Sequence, residues 1–451
     1  MSFEFSIKCQ EMVVNLLATE ISQQVEAGQM VDLTDMELKL REGLHRIGQK
    51  CLAQALSKRE GRYVAEAVDC GCGQKANYVR RRRAKSITVF GDVWYERAYY
   101  LCANCHAGQS PLDKQLGIEP GQISAGLGPL LALLGIQSPF ETASGRLANE
   151  LLLVEVSDNS VRKETQLMGQ LQAELEASQK TESETVNVPQ ARAQAGKRKR
   201  KRLYGGIDGT IVPVRKEWRE LKTATWYVVE EQDEPPSAEV GQQTHLKAKA
   251  LSYYCEMASA QAFGPLVWAK GCQREAHLAE EVVFVCDGAA WIWRLVEALF
   301  PQATQIVDWY HAAEYLPPIA QAAFGDTPAG QAWLEQQRQA LWEGRIEQVV
   351  AACLDIADQF AKAEKLALTA ATYFENNHKR MDYAHLRQAG YQIGSGPTES
   401  GCKQIATLRL KQAGARWTTS GATLTAKARA AWLSDEWSLL KQKRRELPLA
   451  V

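Results

Sequence analysis

Three acidic residues of the 451-residue chain stand at positions where carboxylates can do chemistry. Asp208 closes the apolar run "LYGGID", Asp287 closes "EVVFVCD", and Glu399 follows the turn sequence "GSGP". Each Asp precedes a Gly, so an ordinary Asp-Gly turn explains either aspartate taken alone, and Glu399 suits the first turn of a helix. Mg²⁺ prefers rigidly placed carboxylate oxygens as ligands. Taken together, the three residues predict a site for Mg²⁺ (or Mn²⁺), of the kind that can act on a phosphodiester when two ions share it.

A fourth acidic residue lies in a motif of its own. Asp308 ends the apolar run "QIVD", and His311 follows within "DWYH". The spacing places His311 about one helical turn after Asp308, which suits a pair that orients a metal ligand or a phosphate. A structural histidine is the alternative interpretation, and Trp309 between them suits core packing or base stacking.

Four cysteines flank a segment that alternates β-branched or aromatic residues with charged ones, as a β-hairpin does. Cys70 and Cys72 precede it, and Cys102 and Cys105 follow it. Such pairs across a ribbon are typical of a structural Zn²⁺ site. The first pair has the spacing Cys-x-Cys, which leaves three alternatives: Cys70 binds with altered geometry, Asp69 or His106 joins the ligands, or the site is degraded.

The remaining cysteines are interpreted as small buried side chains without chemistry. They are Cys9, Cys51, Cys255, Cys272, Cys286, Cys353 and Cys402.

The charge distribution indicates where a polyanion would bind. Basic and acidic residues number 53 each, so the net charge gives no reason to expect one. Basic residues cluster in two blocks, however, and a third group follows Glu399; each is a candidate for DNA phosphates, with a solvated surface as the alternative. The candidates are Arg80, Arg81, Arg82, Arg83, Lys197, Arg198, Lys199, Arg200, Lys201, Arg202, Lys403, Arg409, Lys411 and Arg416.

The elements that position these residues follow from periodicity. Hydrophobic residues make up 45% of the chain, and no apolar run reaches 18 residues, so we expect a multidomain α/β protein without a membrane span. Strand patterns begin after residue 202 and the final third is helical. The predicted segments are 1–62, helical; 63–115, a zinc-ribbon-like hairpin; 116–185, helical and a helix-turn-helix or a plain helical hairpin; 186–202, a basic linker; 203–322, the first part of an α/β core; 323–388, a helical insertion; and 389–440, the second part of the core, with Glu399.

The motifs "YGGIDGT", "FVCDGA", "IVDWYHAAEYL" and "GSGPTESGCKQ...RLKQAGARW" resemble those of bacterial insertion-sequence DDE transposases of the Mutator-like group, most of all its ISKra-type branch. The resemblance extends upstream through "FGDVWYERAYYLCANC" and "SPFETASGRLANELL". It implies an RNase H-like core with a helical insertion, the catalytic triad Asp208, Asp287 and Glu399, and Asp308 and His311 as an accessory Asp-x-x-His motif. In that family the first cysteine pair is usually Cys-x-x-Cys, from which this chain departs.

The function that the resemblance implies is Mg²⁺-dependent cleavage and strand transfer of DNA at the ends of an insertion sequence, by a homo-oligomer on DNA in the bacterial cytoplasm. Base-reading side chains are expected near Ser160–Lys163. Two alternatives remain: an RNase H-like nuclease or resolvase without strand transfer, and a domesticated DNA-binding protein without catalysis. An intact triad disfavours the second alternative, and the long N-terminal region disfavours the first.

Overall fold

The structure, a computed structural model, describes residues 32–58, 63–117, 121–195, 202–215, 217–233, 237 and 239–447, with scattered positions between 14 and 28. It is mixed α/β, and its described residues form two sheets. The chain divides into two compact units, Met1–Thr165 with Lys441–Val451, and Gln166–Leu440. The predicted segment boundaries stay predictions.

The first unit contains a small antiparallel sheet with short helices around it. Its strands follow the order β1-β2-β3-β4. The elements of this part of the chain are α1 (Leu33–Lys58), β1 (Ala67–Asp69), β2 (Lys75–Thr88), β3 (Gly91–Cys102), β4 (Gly108–Gln109), α2 (Pro111–Leu116), α3 (Gly128–Gln137), α4 (Phe140–Thr142) and a π-helical segment Ala143–Leu152.

Strands β2 and β3 form the ribbon that the alternating pattern predicts. They pair from Ala76↔Cys102 to Thr88↔Gly91, so the cysteines meet at one end and the tight turn lies at the other. Gly91 adopts φ 80°, which glycine allows without strain. The Thr88 hydroxyl accepts a hydrogen bond from Phe90 N and closes the turn. The ribbon therefore holds its two cysteine pairs at a fixed separation.

Two helices follow. Helices α5 (Asp158–Glu184) and α6 (Val188–Ala195) come before the second sheet. Ser157 Oγ accepts a hydrogen bond from Ser160 N at the start of α5, so the side chains of Ser160–Lys163 lie in its first turns. Helix α6 occupies residues predicted to be a flexible linker, and that part of the linker prediction is wrong because Val188–Ala195 is helical.

The second unit is built on a five-stranded sheet with the order β7-β6-β5-β8-β9. Strand β5 pairs antiparallel with β6 and parallel with β8, and β9 continues the parallel side. Both faces are apolar, which suits a sheet covered by helices. The elements are β5 (Arg202–Val214), β6 (Glu217–Glu231), β7 (Leu246–Glu256), α7 (Ala260–Gln273), β8 (Glu281–Cys286), α8 (Ala290–Leu299) and β9 (Thr304–Val307).

The helices of the predicted insertion share one hydrophobic core with the sheet. Leu341 and Phe374 of the predicted insertion belong to the same buried cluster as Trp226 and Phe284 of the strands. The part of the chain after β9 contains α9 (Trp309–Ala313), α10 (Leu316–Phe324), α11 (Pro328–Trp342), α12 (Ile346–Gln359), α13 (Glu364–Asn377), α14 (Tyr383–Gln388), α15 (Gly396–Cys402), a π-helical segment Lys403–Thr407, α16 (Leu408–Leu410), α17 (Thr419–Leu433) and α18 (Trp437–Glu446). Among the described helices, none has the length and apolar character that crossing a bilayer requires.

A buried ion network joins α5, β7 and α17 within the second unit. Lys427, which is 3% exposed, contacts Glu176 at 2.5 Å and Glu256 at 2.9 Å. Its ammonium also lies 4.6 Å from the centre of the Tyr254 ring. A buried ammonium needs such partners because desolvation of an unpaired charge is costly.

We expect Lys427→Ala to lower the free energy of unfolding by roughly 3–5 kcal/mol, because the substitution leaves the Glu176 carboxylate buried without its cation. Urea denaturation followed by circular dichroism measures the change. Lys365→Ala, at an exposed position of α13, is the matched control and should change it by less than about 0.5 kcal/mol. A loss below about 1 kcal/mol in Lys427→Ala would show that the network contributes little.

Candidate functional site

Asp208 lies inside β5 and not at its end. The parallel pairing of β5 with β8 covers only Arg202–Gly205, whereas the antiparallel pairing with β6 continues to Val214. The predicted strand end at Asp208 is therefore wrong, because the β5–β6 ribbon runs on beyond the sheet. Asp208 Oδ1 accepts a hydrogen bond from Gly209 N at 2.6 Å. The Asp208 carboxylate thus lies just beyond the residues at which β5 pairs with β8.

Asp287 directly follows β8, as the sequence predicts. Its Oδ1 accepts a hydrogen bond from Ala289 N at 2.9 Å. Tyr373, from the helical insertion, donates its hydroxyl to the main-chain oxygen of Asp287 at 2.8 Å. The next residue, Gly288, has φ 97°, and a Cβ there would lie 2.8 Å from the Tyr373 hydroxyl. The insertion therefore fixes the loop that carries Asp287.

Glu399 is on α15, which packs directly on β5. A Cβ added to Gly206 would lie 1.9 Å from Thr398 Oγ1, so this close approach requires glycine. One turn further along the same face of the helix, a Cβ on Gly401 would lie 2.5 Å from the Tyr253 ring. The glutamate side chain itself is exposed. Glycines on both the strand and the helix therefore bring Glu399 to the strand that carries Asp208.

The pKa of Asp208 reflects the charges and hydrogen bonds around its carboxylate. Burial raises the pKa of Asp208, hydrogen bonds from the Cys402 thiol and Gly209 N–H lower it, and the charges of Asp287 and Glu399 raise it further. The charges of Asp287 and Glu399, from two other elements, therefore act on Asp208. Positive charge at this site would relieve their repulsion.

Asp308 lies directly after β9 and is completely buried. Its Oδ1 accepts a hydrogen bond from Tyr310 N at 2.7 Å, and its Oδ2 accepts from Ser395 N at 3.1 Å and also from the Ser395 hydroxyl. Burial raises the pKa of Asp308 to about 6, the Ser395 hydrogen bonds lower it, and Glu399 raises it. Asp308 therefore contacts Glu399 both directly and through Ser395.

His311 points to a different neighbourhood from Asp308. Its ring packs edge-on against Tyr315 and Tyr373, with centroid distances of 6.0 Å and 6.4 Å. Its Nδ1 lies 3.8 Å from the Glu314 carboxylate. Because Tyr373 binds the main chain at Asp287, His311 supports the tyrosines beside that loop.

The four cysteines of the ribbon meet at one point. The sulfurs of Cys70 and Cys105 are 3.5 Å apart, and those of Cys72 and Cys102 are 3.6 Å apart. All four sulfurs lie within 4.8 Å of one another. Among the described residues, no other group of three or more acidic, cysteine or histidine side chains is gathered that closely. Sulfurs bound tetrahedrally at a Zn–S distance of about 2.3 Å would be about 3.8 Å apart. These thiols fit a metal ion such as zinc.

The surrounding contacts decide among the alternatives for this group. Asp69 pairs its carboxylate with Lys75 and is exposed, so it does not join the thiols. A hydrogen bond from the backbone N–H of Gln74 and one from Asn104 lower the pKa of Cys72 to about 6, which favours the thiolate that metals bind. The Cys-x-Cys spacing is therefore compatible with four sulfur ligands.

The predicted phosphate contacts separate into three groups. Arg80, Arg81, Arg82 and Arg83 are exposed on β2, and Lys403, Lys411 and Arg416 are exposed near Glu399. Lys411 and Arg416 lie beyond the helix that was predicted to carry them, since α16 ends at Leu410. The block 197–201, with Lys197, Arg198, Lys199, Arg200 and Lys201, lies outside the described residues.

Two of the predicted phosphate contacts are wrong. Arg202 pairs with Glu281 at 2.7 Å and stacks on Tyr391, so it belongs to the sheet and not to a basic linker. Arg409 is 2% exposed, and its guanidinium lies 4.8 Å from the centre of the Trp417 ring. Burial, together with the charge of Arg429, lowers the pKa of Arg409 to about 10. Arg409 is therefore a core residue.

Three residues of the site escaped the sequence analysis. Cys402 was assigned no chemistry, yet its thiol binds the Asp208 carboxylate. Its spacing of one helical turn from Glu399 is a signal that could have found it. Ser395 lies one turn before Glu399 in "GSGPTES" and carried the same signal. Tyr373 has no local signal, because only the fold brings it to Asp287.

The cysteine group predicts that purified protein contains about one zinc ion per chain. Cys102→Ser should abolish zinc binding and unfold the ribbon, because a sheet this small depends on the metal for folding energy. Cys51→Ser, an exposed cysteine of α1 outside the group, is the matched control and should keep its zinc. Elemental analysis and a zinc-release assay with a chelator measure both, and zinc-free protein from zinc-replete expression would contradict the prediction.

Comparison with curated proteins finds no significant match. A family model described as "Uncharacterised protein family (UPF0236)" matches residues 26–438. The matched range includes the four cysteines of the ribbon, both sheets, and Asp208, Asp287 and Glu399. The chain therefore belongs to this uncharacterised protein family.

Proposed function

We propose that the protein is a DDE transposase that binds the ends of an insertion sequence and catalyses Mg²⁺-dependent cleavage and transfer of DNA strands. The observation that carries the proposal is the convergence of Asp208, Asp287 and Glu399. They come from a central strand, a loop after the adjacent parallel strand and a distant helix, and two of them raise the pKa of the third. Ordinary turn or capping carboxylates have no reason to converge in this way.

The topology of the second unit supports an RNase H-like core. Its first strand, β5, is central. On one side β5 pairs antiparallel with β6 and β6 antiparallel with β7, and on the other side β5 pairs parallel with β8 and β8 parallel with β9. The helices between β9 and α15 occupy the place of the insertion that the transposase resemblance implies. A triad on β5, after β8 and on α15 agrees with this core.

The donor set fits Mg²⁺. Asp208, Asp287 and Glu399 offer hard oxygen ligands, which this ion prefers. The three carboxylates are not gathered within 4.8 Å as the thiols are, which suits ions that share the site with water and phosphate better than a closed protein cage. Bound there, Mg²⁺ would supply Lewis-acid activation of the phosphodiester.

The chain's own residues do the positioning. The Cys402 thiol and Gly209 N–H hold the Asp208 carboxylate, and Tyr373 holds the loop of Asp287. In the cleavage step a water oxygen bonds to phosphorus as a P–O bond breaks, which leaves a 3′-hydroxyl and a 5′-phosphate. In strand transfer that 3′-hydroxyl is the nucleophile and another strand's 3′ oxygen leaves.

The ribbon supplies a basic surface for DNA. Consecutive residues of a strand face opposite sides, so Arg81 and Arg83 lie on one face and Arg80 and Arg82 on the other. Arg83 lies 4.4 Å from the centre of the Trp94 ring, and Arg82 lies 4.8 Å from that of Tyr99. Stacking on a ring holds a guanidinium extended while leaving its N–H groups available to phosphate oxygens. We propose that these arginines contact duplex DNA, on which the protein acts as a homo-oligomer.

Asp208→Asn, Asp287→Asn and Glu399→Gln should each lower Mg²⁺-dependent cleavage of labelled element ends by about 100-fold or more, because the three act as a unit. Binding to the same DNA should change by less than about twofold. Glu364→Gln, an exposed carboxylate of α13, is the control and should cleave like the native protein.

Cleavage near the native level in Glu399→Gln would contradict the triad. Cleavage without joining of the 3′ end to target DNA would instead favour a nuclease or resolvase.

DNA affinity should fall with salt, with a log-log slope of about 0.9 per neutralised phosphate. The double variant Arg81→Gln with Arg83→Gln should flatten that slope by about 1.8 and weaken specific and non-specific DNA alike. Lys362→Gln with Lys365→Gln removes the same charge from exposed positions of the second unit and should leave the slope unchanged. Fluorescence anisotropy at several salt concentrations measures it, and an unchanged slope in the arginine variant would exclude these arginines as contacts.

A further inference from the structure

Ser395 lies between two carboxylates that belong to different parts of the site. Its hydroxyl is 2.7 Å from Glu399 Oε1 and also contacts Asp308 Oδ2. Its backbone N–H donates to the same Asp308 oxygen at 3.1 Å. The residue is 6% exposed, so these contacts form away from bulk water.

Ser395 occupies a position at which a serine side chain usually caps the helix. Ser395 is the N-cap residue of α15, and serine is favoured there because its oxygen accepts a hydrogen bond from an N–H of the first turn. Here the side chain makes no capping hydrogen bond. The first-turn amides of Thr398 and Glu399 instead donate to the main-chain oxygen of Ser395, at 2.8 Å and 3.1 Å. The single proton of the hydroxyl is therefore shared between one oxygen of Asp308 and one of Glu399, as a three-centre hydrogen bond.

Asp308 gives this serine a fixed support. It is 0% exposed, and its own N–H donates to Cys286 O, at the end of β8, at 2.8 Å. Its Oδ1 is occupied by Tyr310 N. With both carboxylate oxygens engaged by protein donors, Asp308 anchors the start of α15 to the sheet.

We propose that Ser395 is a positioning residue that, braced by Asp308, holds the Glu399 carboxylate in the orientation that binds metal. The inference rests on the proposed function, because it gives Glu399 the role of a metal ligand. A glutamate side chain loses considerable rotamer freedom when a metal fixes it, and a hydrogen bond that fixes it beforehand reduces that loss. Groups that orient metal ligands commonly change metal affinity by about 10-fold or more when removed.

The test measures metal affinity directly on full-length, zinc-replete protein. Mn²⁺ binding, followed by electron paramagnetic resonance, should weaken by about 10-fold in Ser395→Ala. The Mg²⁺ concentration for half-maximal cleavage should rise by a similar factor, while the rate at saturating Mg²⁺ stays within about threefold. The melting temperature of the protein without Mn²⁺ or Mg²⁺ should fall by less than about 4 °C, because Asp308 Oδ2 keeps the Ser395 N–H as a donor.

Ser400→Ala is the matched control. Ser400 lies on the same helix, is exposed, and its hydroxyl accepts a hydrogen bond from Gln404. It should bind Mn²⁺ like the native protein. If Ser395→Ala fails to fold, Ser395→Cys keeps the volume with a weaker donor, and its Mn²⁺ affinity should fall by several-fold.

The outcomes separate this inference from the proposed function. The first case is that Glu399→Gln binds Mn²⁺ more weakly than the native protein. Native Mn²⁺ affinity in Ser395→Ala, or in Ser395→Cys if that variant replaces it, would then overturn the positioning role. A lower melting temperature with native Mn²⁺ affinity would likewise overturn it in favour of a structural role. If Glu399→Gln itself binds Mn²⁺ like the native protein, the metal site of the proposed function fails, and the inference fails with it.

Discussion

The contact between α15 and β5 is the constraint on which the candidate site depends. Glu399 is far from Asp208 in the chain, and only the packing of helix on strand brings the two together. That packing requires the absence of a side chain at Gly206, because the Thr398 hydroxyl occupies the space where a Cβ would be. A side chain there would force the helix or the strand to shift, and interiors packed at crystal density transmit such a shift. The arrangement of the three carboxylates thus depends on a residue that has no side chain.

The helices between β9 and α15 contribute more than a separation of the two halves of the core. They share its hydrophobic cluster, and Tyr373 holds the main chain beside Asp287 from the opposite direction to the sheet. Tyr315 stacks on Tyr373 with centroids 4.2 Å apart, and burial raises the pKa of Tyr373 above its ordinary value, so its hydroxyl stays a donor across the physiological range. The loop that bears the second aspartate is therefore held by two independent parts of the fold.

The sequence predicts some levels of this structure better than others. The strands of the second sheet and the ribbon were visible because alternation and apolar runs are local properties. The end of β5 was not, because strand pairing beyond Asp208 depends on β6, and Asp-Gly reads locally as a turn. Arg409 and Arg202 were assigned to the surface because charge alone says nothing about the rings of Trp417 and Tyr391, which lie beside them only after folding. Cys402 and Ser395 act through single contacts that spacing can suggest but that only coordinates establish.

Trp417 has a mechanical consequence for the two halves of the site. Its main-chain oxygen accepts a hydrogen bond from Arg215 N at 2.9 Å, next to the tip of the β5–β6 ribbon, and its indole N–H donates to Leu410 O at 3.0 Å. The segment after the Glu399 helix is thus fastened to the far end of the strand that carries Asp208. A ribbon that projects beyond its sheet would otherwise bend freely about its base. This hydrogen bond couples the ribbon to the segment after the Glu399 helix, so that segment resists bending of the ribbon.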